Sequence, residues 1–262
     1  MGLLSGKTAL IFGVANDHSI AWGISQALHR EGAQLGFSYA GEKLERRVRP
    51  LAESVGSDFV EPCDVSKDED IATVMEKAKA KYGEIDVLIH SVAFANRDDL
   101  SGPYYNVSRQ GFLSAMDISV YSFTALAKAA LPIMKPGGSM LTLTYIGSVR
   151  AVPSYNVMGV AKAALEASVR YLAADMGANE KRIRVNAISA GPIRTLAVAG
   201  ISGSRALINE FSKSSLLHRN ITIDDVGNSA AYLCSDMAAG VTGEIHYCDA
   251  GFNVGFPVGE SE

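Results

Sequence analysis

The sequence predicts an α/β fold: a single doubly wound, seven-stranded parallel sheet with helices on both faces. Three observations predict it. Strand-like and helix-like stretches alternate along nearly the whole chain, and such alternation forces parallel pairing through right-handed crossovers. Several strand-like runs are short and almost wholly apolar, as in IDVLIHS at 85–91. The 262 residues are 48% hydrophobic and 20% charged, enough for a sizeable core. No linker divides them, so one domain is expected over 1–262.

The elements follow in order. Residues 7–13 (KTALIFG) form an apolar run ending in glycine, and 19–31 carry Ile20, Ile24, Ala27 and Leu28 at helical spacing. Residues 34–39 read as a strand, 42–54 as a helix and 58–62 as a short strand. An amphipathic helix follows over 67–82, on Ile71, Val74, Met75 and Ala78. Residues 85–91 are a buried strand, 108–134 one long helical stretch, and 139–145 (SMLTLTY) a strand. A helix over 154–176, a strand over 182–188 (RIRVNAI), a helix over 223–235 and a strand over 244–248 complete the pattern. Ligands of such sheets sit at the carboxyl ends of the strands. The stretch after the sixth strand, 191–215, is therefore expected to be a substrate lid, with Gly200 and Gly203 easing its motion and Ile193, Leu196, Ala197 and Ile201 giving it an apolar face.

Composition excludes several classes. A net charge of -4 argues against whole-surface binding of nucleic acid. No apolar run reaches the roughly 18 residues of a membrane span. Lys7 inside the first apolar run makes it a strand, not a signal peptide, and Gly6 stands where a myristoylation motif needs Ser or Thr. Cys63, Cys234 and Cys248 are too few and too scattered for a disulfide framework and read as thiols in a reducing cytoplasm. His246 and Cys248 share a strand face, but no further ligand pair supports a metal.

The first strand-to-helix turn runs from Gly13 to Gly23 (GVANDHSIAWG), with Ser19 as the expected helix N-cap. A glycine turn leading into a helix N-terminus is what a pyrophosphate needs, although the GxGxxG pattern is absent. Asp64, after the third strand, can accept from an adenine amino group or cap the following helix; both readings stand. Small residues in His90-Ser91-Val92-Ala93 let backbone approach a cofactor or pack tightly. The second strand ends in Ser38-Tyr39-Ala40-Gly41, without the acid that often holds a ribose 2′-hydroxyl. Lys43, Arg46 and Arg47 follow, either near a 2′-phosphate or as a solvated helix face.

At the other end, Tyr155 and Lys162 stand seven residues apart, about 20° short of two helical turns, and so share a face. The lysine side chain leans toward the helix N-terminus, where its charge is expected to lower the tyrosine pKa.

Here the chain resembles the short-chain dehydrogenase/reductase family with its Rossmann architecture. That family usually carries Tyr-x3-Lys and a serine 13 residues before the tyrosine. With Lys162 as the family lysine, those positions are Met158 and Tyr145, so an ordinary alcohol dehydrogenase or ketone reductase does not fit. The Tyr-x3-Lys that does occur, Tyr39–Lys43, lies at the nucleotide end and reads as a decoy.

Five segments match one branch. They are SIAWG from Ser19, His90-Ser91, YNVMG from Tyr155, SAGPIRT from Ser189 and DVGNS from Asp225. Together with Tyr-x6-Lys they resemble the bacterial enoyl-acyl carrier protein reductases of the FabI type. The resemblance implies reduction of a trans-2-enoyl thioester in type II fatty-acid biosynthesis, an acyl carrier protein partner, a homotetramer and a cytoplasmic location. It implies cofactor contacts at Gly13, Ser19, Ile20, Ala40, Asp64, Val65, Val92, Lys162, Gly191, Pro192, Ile193, Arg194 and Thr195, a substrate contact at Ala95, and catalytic roles for Tyr145, Tyr155 and Lys162. No Arg or Lys stands at 40 or 41, which favours NADH and leaves NADPH open.

The spacing has a chemical rationale. Enoyl reduction delivers hydride to Cβ while charge gathers on the thioester oxygen, so the tyrosine must sit further from the nicotinamide than in ketone reduction. Moving it three residues along a helix shifts it about 4.5 Å. Candidate walls for an acyl slot are Phe94, Tyr145, Tyr155, Met158, Pro192, Ile193, Ala197, Ile201 and Phe211; each is also an ordinary core residue, and for most the core is the better reading. Arg194, Arg205, Lys213 and Arg219 offer a basic surface to an acidic carrier. The alternatives are a carbonyl reductase of the same fold, which the missing Tyr-x3-Lys disfavours, and a non-catalytic nucleotide-binding protein, which would not need Tyr155.

Overall fold

The computed structural model describes residues 2–195 and 204–255. Its strands are β1 (Thr8–Phe12), β2 (Gln34–Tyr39), β3 (Val60–Pro62), β4 (Ile85–His90), β5 (Met134–Thr144), β6 (Arg184–Ala190) and β7 (Ile245–Cys248). Between them lie α1 (Ile20–Arg30), α2 (Glu42–Ser54), α3 (Asp68–Tyr82), α4 (Arg109–Met116), α5 (Ser122–Ala130), α6 (Asn156–Ala178), α7 (Ser204–Ser214) and α8 (Ile223–Cys234). The strands form one parallel sheet in the order β3-β2-β1-β4-β5-β6-β7. The chain starts mid-sheet, winds to one edge, returns beside β1 and winds to the other. The connections after β1 and β4 therefore leave toward opposite faces and open a crevice at the strand ends.

Strand β1 shows how the sequence builds two cores. Ala9 and Ile11 enter the core under α1, α2 and α8, while Leu10 and Phe12 enter the one under α3, α5 and α6. All four are fully buried, so neither parity tolerates a polar residue. Each large apolar side chain so buried contributes about 1.5–3 kcal/mol. Helix α1 covers its face with Trp22, Ile24 and Leu28, and it meets α8 where both carry glycine. A Cβ on Gly23 would stand 2.4 Å from the Ile223 carbonyl oxygen, and one on Gly227 would stand 2.4 Å from that of Gly23. SIAWG and DVGNS thus meet through their glycines.

Two expectations are corrected. The stretch 108–134 is not one helix: α4 passes at Asp117 into a π-helical turn through Tyr121, α5 follows, and a 3-10 turn at Leu131–Ile133 hands over to β5 at Met134. The cause is polar. Ser122 Oγ donates back to the Ile118 carbonyl at 2.7 Å, and Ser119 bonds outside its own helix to Phe94. Pro132 then lacks the N–H that would continue the helix. The helix expected from 154 starts at Asn156, with Tyr155 as its N-cap residue. Residues 204–214, within the expected lid at 191–215, form α7; residues 196–203 of that stretch lie outside the described residues. Among the described residues, no helix is long and apolar enough to cross a membrane.

Candidate active site

A cavity of about 490 Å³ opens over the carboxyl ends of β1, β4, β5 and β6, within the range of small-molecule sites. Each strand end supplies part of its wall: Gly13 after β1, Val92 and Ala95 after β4, Tyr145 after β5, and Gly191, Pro192, Ile193 and Thr195 after β6. Ser19 and Ile20 join from the start of α1, and Tyr155 and Lys162 from the start of α6. Ala40, Asp64 and Val65 lie outside it, at the ends of β2 and β3, and Arg194 is exposed beside it. Of the expected acyl-slot walls, Phe94, Tyr145, Tyr155, Met158, Pro192 and Ile193 line the cavity. Phe211 does not; it stacks on Phe252 at 4.7 Å and closes over Gly191. Ala197 and Ile201 lie outside the described residues.

Gly13 has φ +106°, and a Cβ there would stand 2.1 Å from the Ser91 carbonyl oxygen. The strand ends of β1 and β4 are in backbone contact, with Ser91 N–H donating to the Phe12 carbonyl at 2.9 Å. Ser19 is the N-cap residue of α1, but its hydroxyl does not cap as expected; it donates back to the Asn16 carbonyl at 2.7 Å. The first turn of α1 thus has no side-chain cap and no acidic residue, leaving its positive dipole end, at Ser19 and Ile20, facing the cavity. Asp64 is not a helix cap either: Lys67 holds that position, and Asp64 Oδ1 instead accepts from the Ser66 N–H and hydroxyl at 3.1 and 2.7 Å. These hydrogen bonds keep its carboxyl below the usual range. The Tyr39 hydroxyl is engaged with Glu45, away from the cavity.

At the catalytic end Tyr145 and Tyr155 pack edge to face, ring centroids 5.0 Å apart. Room for the Tyr155 ring comes from two glycines. A Cβ on Gly147 would stand 2.6 Å from Tyr155 Cδ1, and one on Gly159 would stand 2.8 Å from the Gly147 carbonyl oxygen. Gly147→Ala is therefore expected to push Tyr155 out of place at an overpacking cost of about 1–3 kcal/mol. Turnover should fall more than nucleotide affinity, which kinetics beside NADH titration would check.

The Lys162 ammonium is buried and donates to the Leu143 carbonyl at 2.7 Å. Burial pulls its pKa down to about 8, against the partial support of Glu166 one turn along. The expected lowering of the Tyr155 pKa is not found. Burial, with the neighbouring Tyr145, raises it, and Lys162 is not among its influences. Burial likewise pushes Tyr145 up to about 12. Both phenols are protonated at neutral pH, and Tyr155 has no hydrogen-bond partner among the described residues.

A family model for enoyl-(acyl carrier protein) reductases matches residues 13–253. Enoyl-acyl-carrier-protein reductase (NADH) 2 of Rhizobium meliloti (strain 1021) is 56% identical over 97% of this chain and 94% of its own length. The NADH-dependent enoyl-acyl-carrier-protein reductase FabI of Escherichia coli (strain K12) is 51% identical, over 97% of each chain. The crystal structure of the Anaplasma phagocytophilum enoyl-acyl-carrier-protein reductase in complex with NAD superimposes with a TM-score of 0.93, at 49% identity, covering 97% of this chain and 96% of that one. The chain belongs to the enoyl-acyl carrier protein reductase family.

In this family member, sequence reasoning missed a polar cluster beneath the cavity. His90, at the end of β4, is fully buried, with Nδ1 2.7 Å from Thr142 Oγ1 and Nε2 2.9 Å from Ser122 Oγ. Ser122 spends its one hydrogen on Ile118 O, so His90 Nε2 donates to it and Nδ1 accepts from Thr142. Burial, then Lys162, lower the His90 pKa to about 3 from 6.5. Between those values the unfolded chain binds a proton that the folded one does not. Folding stability is therefore expected to fall as pH drops through that window, and a His90→Asn variant should show a flatter dependence in acid-range thermal melts. The signal available beforehand was a histidine ending an otherwise apolar strand. Its partners lie 32 and 52 residues away and had no local signature.

Proposed function

We propose that this protein reduces the trans-2 double bond of an enoyl thioester carried on acyl carrier protein, with NADH as reductant, in type II fatty-acid biosynthesis. One observation carries the reading: Tyr155 and Lys162 line one cavity, while the position where a ketone reductase would hold its tyrosine is Met158, a thioether.

The uncapped N-terminus of α1, the backbone approach at Gly13 and the buried Lys162 form a site that suits a dinucleotide. Gly13, Ser19 and Ile20 would face the pyrophosphate, Asp64, Val65 and Ala40 the adenosine end, and Val92, Lys162 and 191–195 the nicotinamide half. Bound NADH supplies the hydride that reaches Cβ. Tyr155 donates a hydrogen bond to the thioester oxygen, where negative charge gathers. Lys162 holds ribose hydroxyls and adds positive field. Tyr145 packs against Tyr155 and orients it, and Ala95 leaves room for the acyl chain.

Docking of the acidic carrier falls to the rim beside Arg194. Arg219, expected to share this role, is held by Asp225 through bonds of 2.7 and 3.1 Å and is withdrawn from it. A homotetramer goes with the reading, and exposed Tyr105, Leu113, Tyr121 and Tyr171 are apolar surface for its contacts; sedimentation would test it. A cytoplasmic location follows from the same reading. The deciding experiment mixes the protein with NADH and a crotonyl thioester and follows nucleotide absorbance. Oxidation of NADH that depends on the enoyl thioester is expected. Turnover of ketones alone, or nucleotide binding without turnover, would overturn the reading.

A further inference from the structure

Five non-glycine residues among those described have positive φ, and two of them flank Tyr155: Ser154 at +59° and Asn156 at +33°. Backbone held in this region persists only where the surroundings over-determine it. At Asn156 the surroundings are visible. Its side-chain amide reaches the neighbouring 97–102 segment and donates to the carbonyls of Gly102 and Ser101, at 3.0 and 3.5 Å. Arg97 and Leu100 of that segment line the cavity. Its other anchor is Asp99, which accepts from the Ser108 N–H at 2.8 Å, at the start of α4, and from Asn96 Nδ2 at 3.2 Å. With Asp99 holding the segment to α4, Asn156 supplies a hydrogen-bonded link from it to the residue next to the tyrosine.

We infer that Asn156 is a positioning residue, whose left-handed backbone aims Tyr155 and whose amide locks the tyrosine and the 97–102 wall into one unit. The inference rests on the enoyl reductase reading. Asparagine suits the position twice over: it tolerates positive φ better than most residues, and it carries a donor that reaches two carbonyls. The residue next to the tyrosine thus ties it to the 97–102 segment, whose Arg97 and Leu100 line the same cavity.

Two variants remove the amide link while the backbone conformation at 156 stays accessible, one leaving a carboxylate that repels the two carbonyls and the other leaving no side chain. Asn156→Asp keeps size and conformational tolerance but loses the donors; Asn156→Gly accepts the backbone and removes the amide. Both are to be assayed with crotonyl thioester and NADH, alone and in a Tyr155→Phe background. Alone, each is expected to lower kcat about tenfold or more, as a misplaced group does, with NADH affinity unchanged. In the Tyr155→Phe background the further loss should be under about twofold, because the residue acts through the tyrosine. Hydrogen exchange at Ser101 and Gly102 should quicken in both variants. Unchanged kcat, or the same fold-loss in both backgrounds, overturns the inference. A wild-type protein that does not turn over enoyl thioester overturns the reductase reading instead.

Discussion

Lys162→Met is expected to weaken NADH binding and turnover together while the fold persists. The substitution removes a buried ammonium whose burial opposes its charge, and it supplies a side chain of similar length. Lost with the charge are the hydrogen bonds proposed to the ribose. At about 1.5–3 kcal/mol for each charged hydrogen bond, losing one amounts to more than tenfold in affinity. The same group sets a pH limit. It is cationic below about 8 and neutral above, so kcat/KM of the wild-type enzyme should fall as pH rises through that value. Stability should run the other way. Between about 8 and the ordinary 10.5 the unfolded chain binds a proton that the folded one has released, so folding gains with pH there. The methionine variant should lose both dependences. Nucleotide titration, pH-rate profiles and thermal melts would check this, and unchanged NADH affinity would contradict the assignment.

Tyr155→Phe is expected to lower kcat by about two to three orders of magnitude, as removal of one preorganised oxyanion donor does. Substrate KM should move much less, because the contact strengthens in the transition state. Tyr145→Phe keeps the ring that packs edge to face on Tyr155 and loses a hydroxyl assigned no contact with the reacting oxygen, so its loss should be several-fold smaller. Steady-state kinetics of the two variants side by side decide the division of labour. Near-equal losses would mean that the two hydroxyls act jointly.

Much of the fold was legible because its information is local. A mostly apolar run marked β2, and Leu44, Val48, Leu51 and Ala52 at helical spacing among charged residues marked α2, to their observed ends, and the alternation of strand with helix left parallel pairing as the workable topology. The break in 108–134 was not legible. Ser119 and Ser122 look like ordinary small residues in an apolar helix, and they become helix breakers only because Phe94 and His90 arrive as partners from another strand end. Likewise nothing along the chain singles out Gly147, whose role shows only once the Tyr155 ring is placed 2.6 Å from where its Cβ would be.

By itself, then, the sequence determined the sheet with helices on both faces and the placing of Tyr155 and Lys162 on one helix face, which are properties of periodicity and spacing along the chain; the family came from the resemblance of five short motifs. Only the tertiary structure decided the ionisation of the site and the direction of its groups. A pKa depends on how much water burial removes, which is why the Tyr155 phenol is raised where a nearby lysine was expected to lower it. The same holds for hydrogen bonds between distant segments: Asn156 to Gly102, Lys162 to Leu143 and His90 to Ser122 exist because the fold brings separate stretches within 3 Å, a distance that no pattern along the chain encodes.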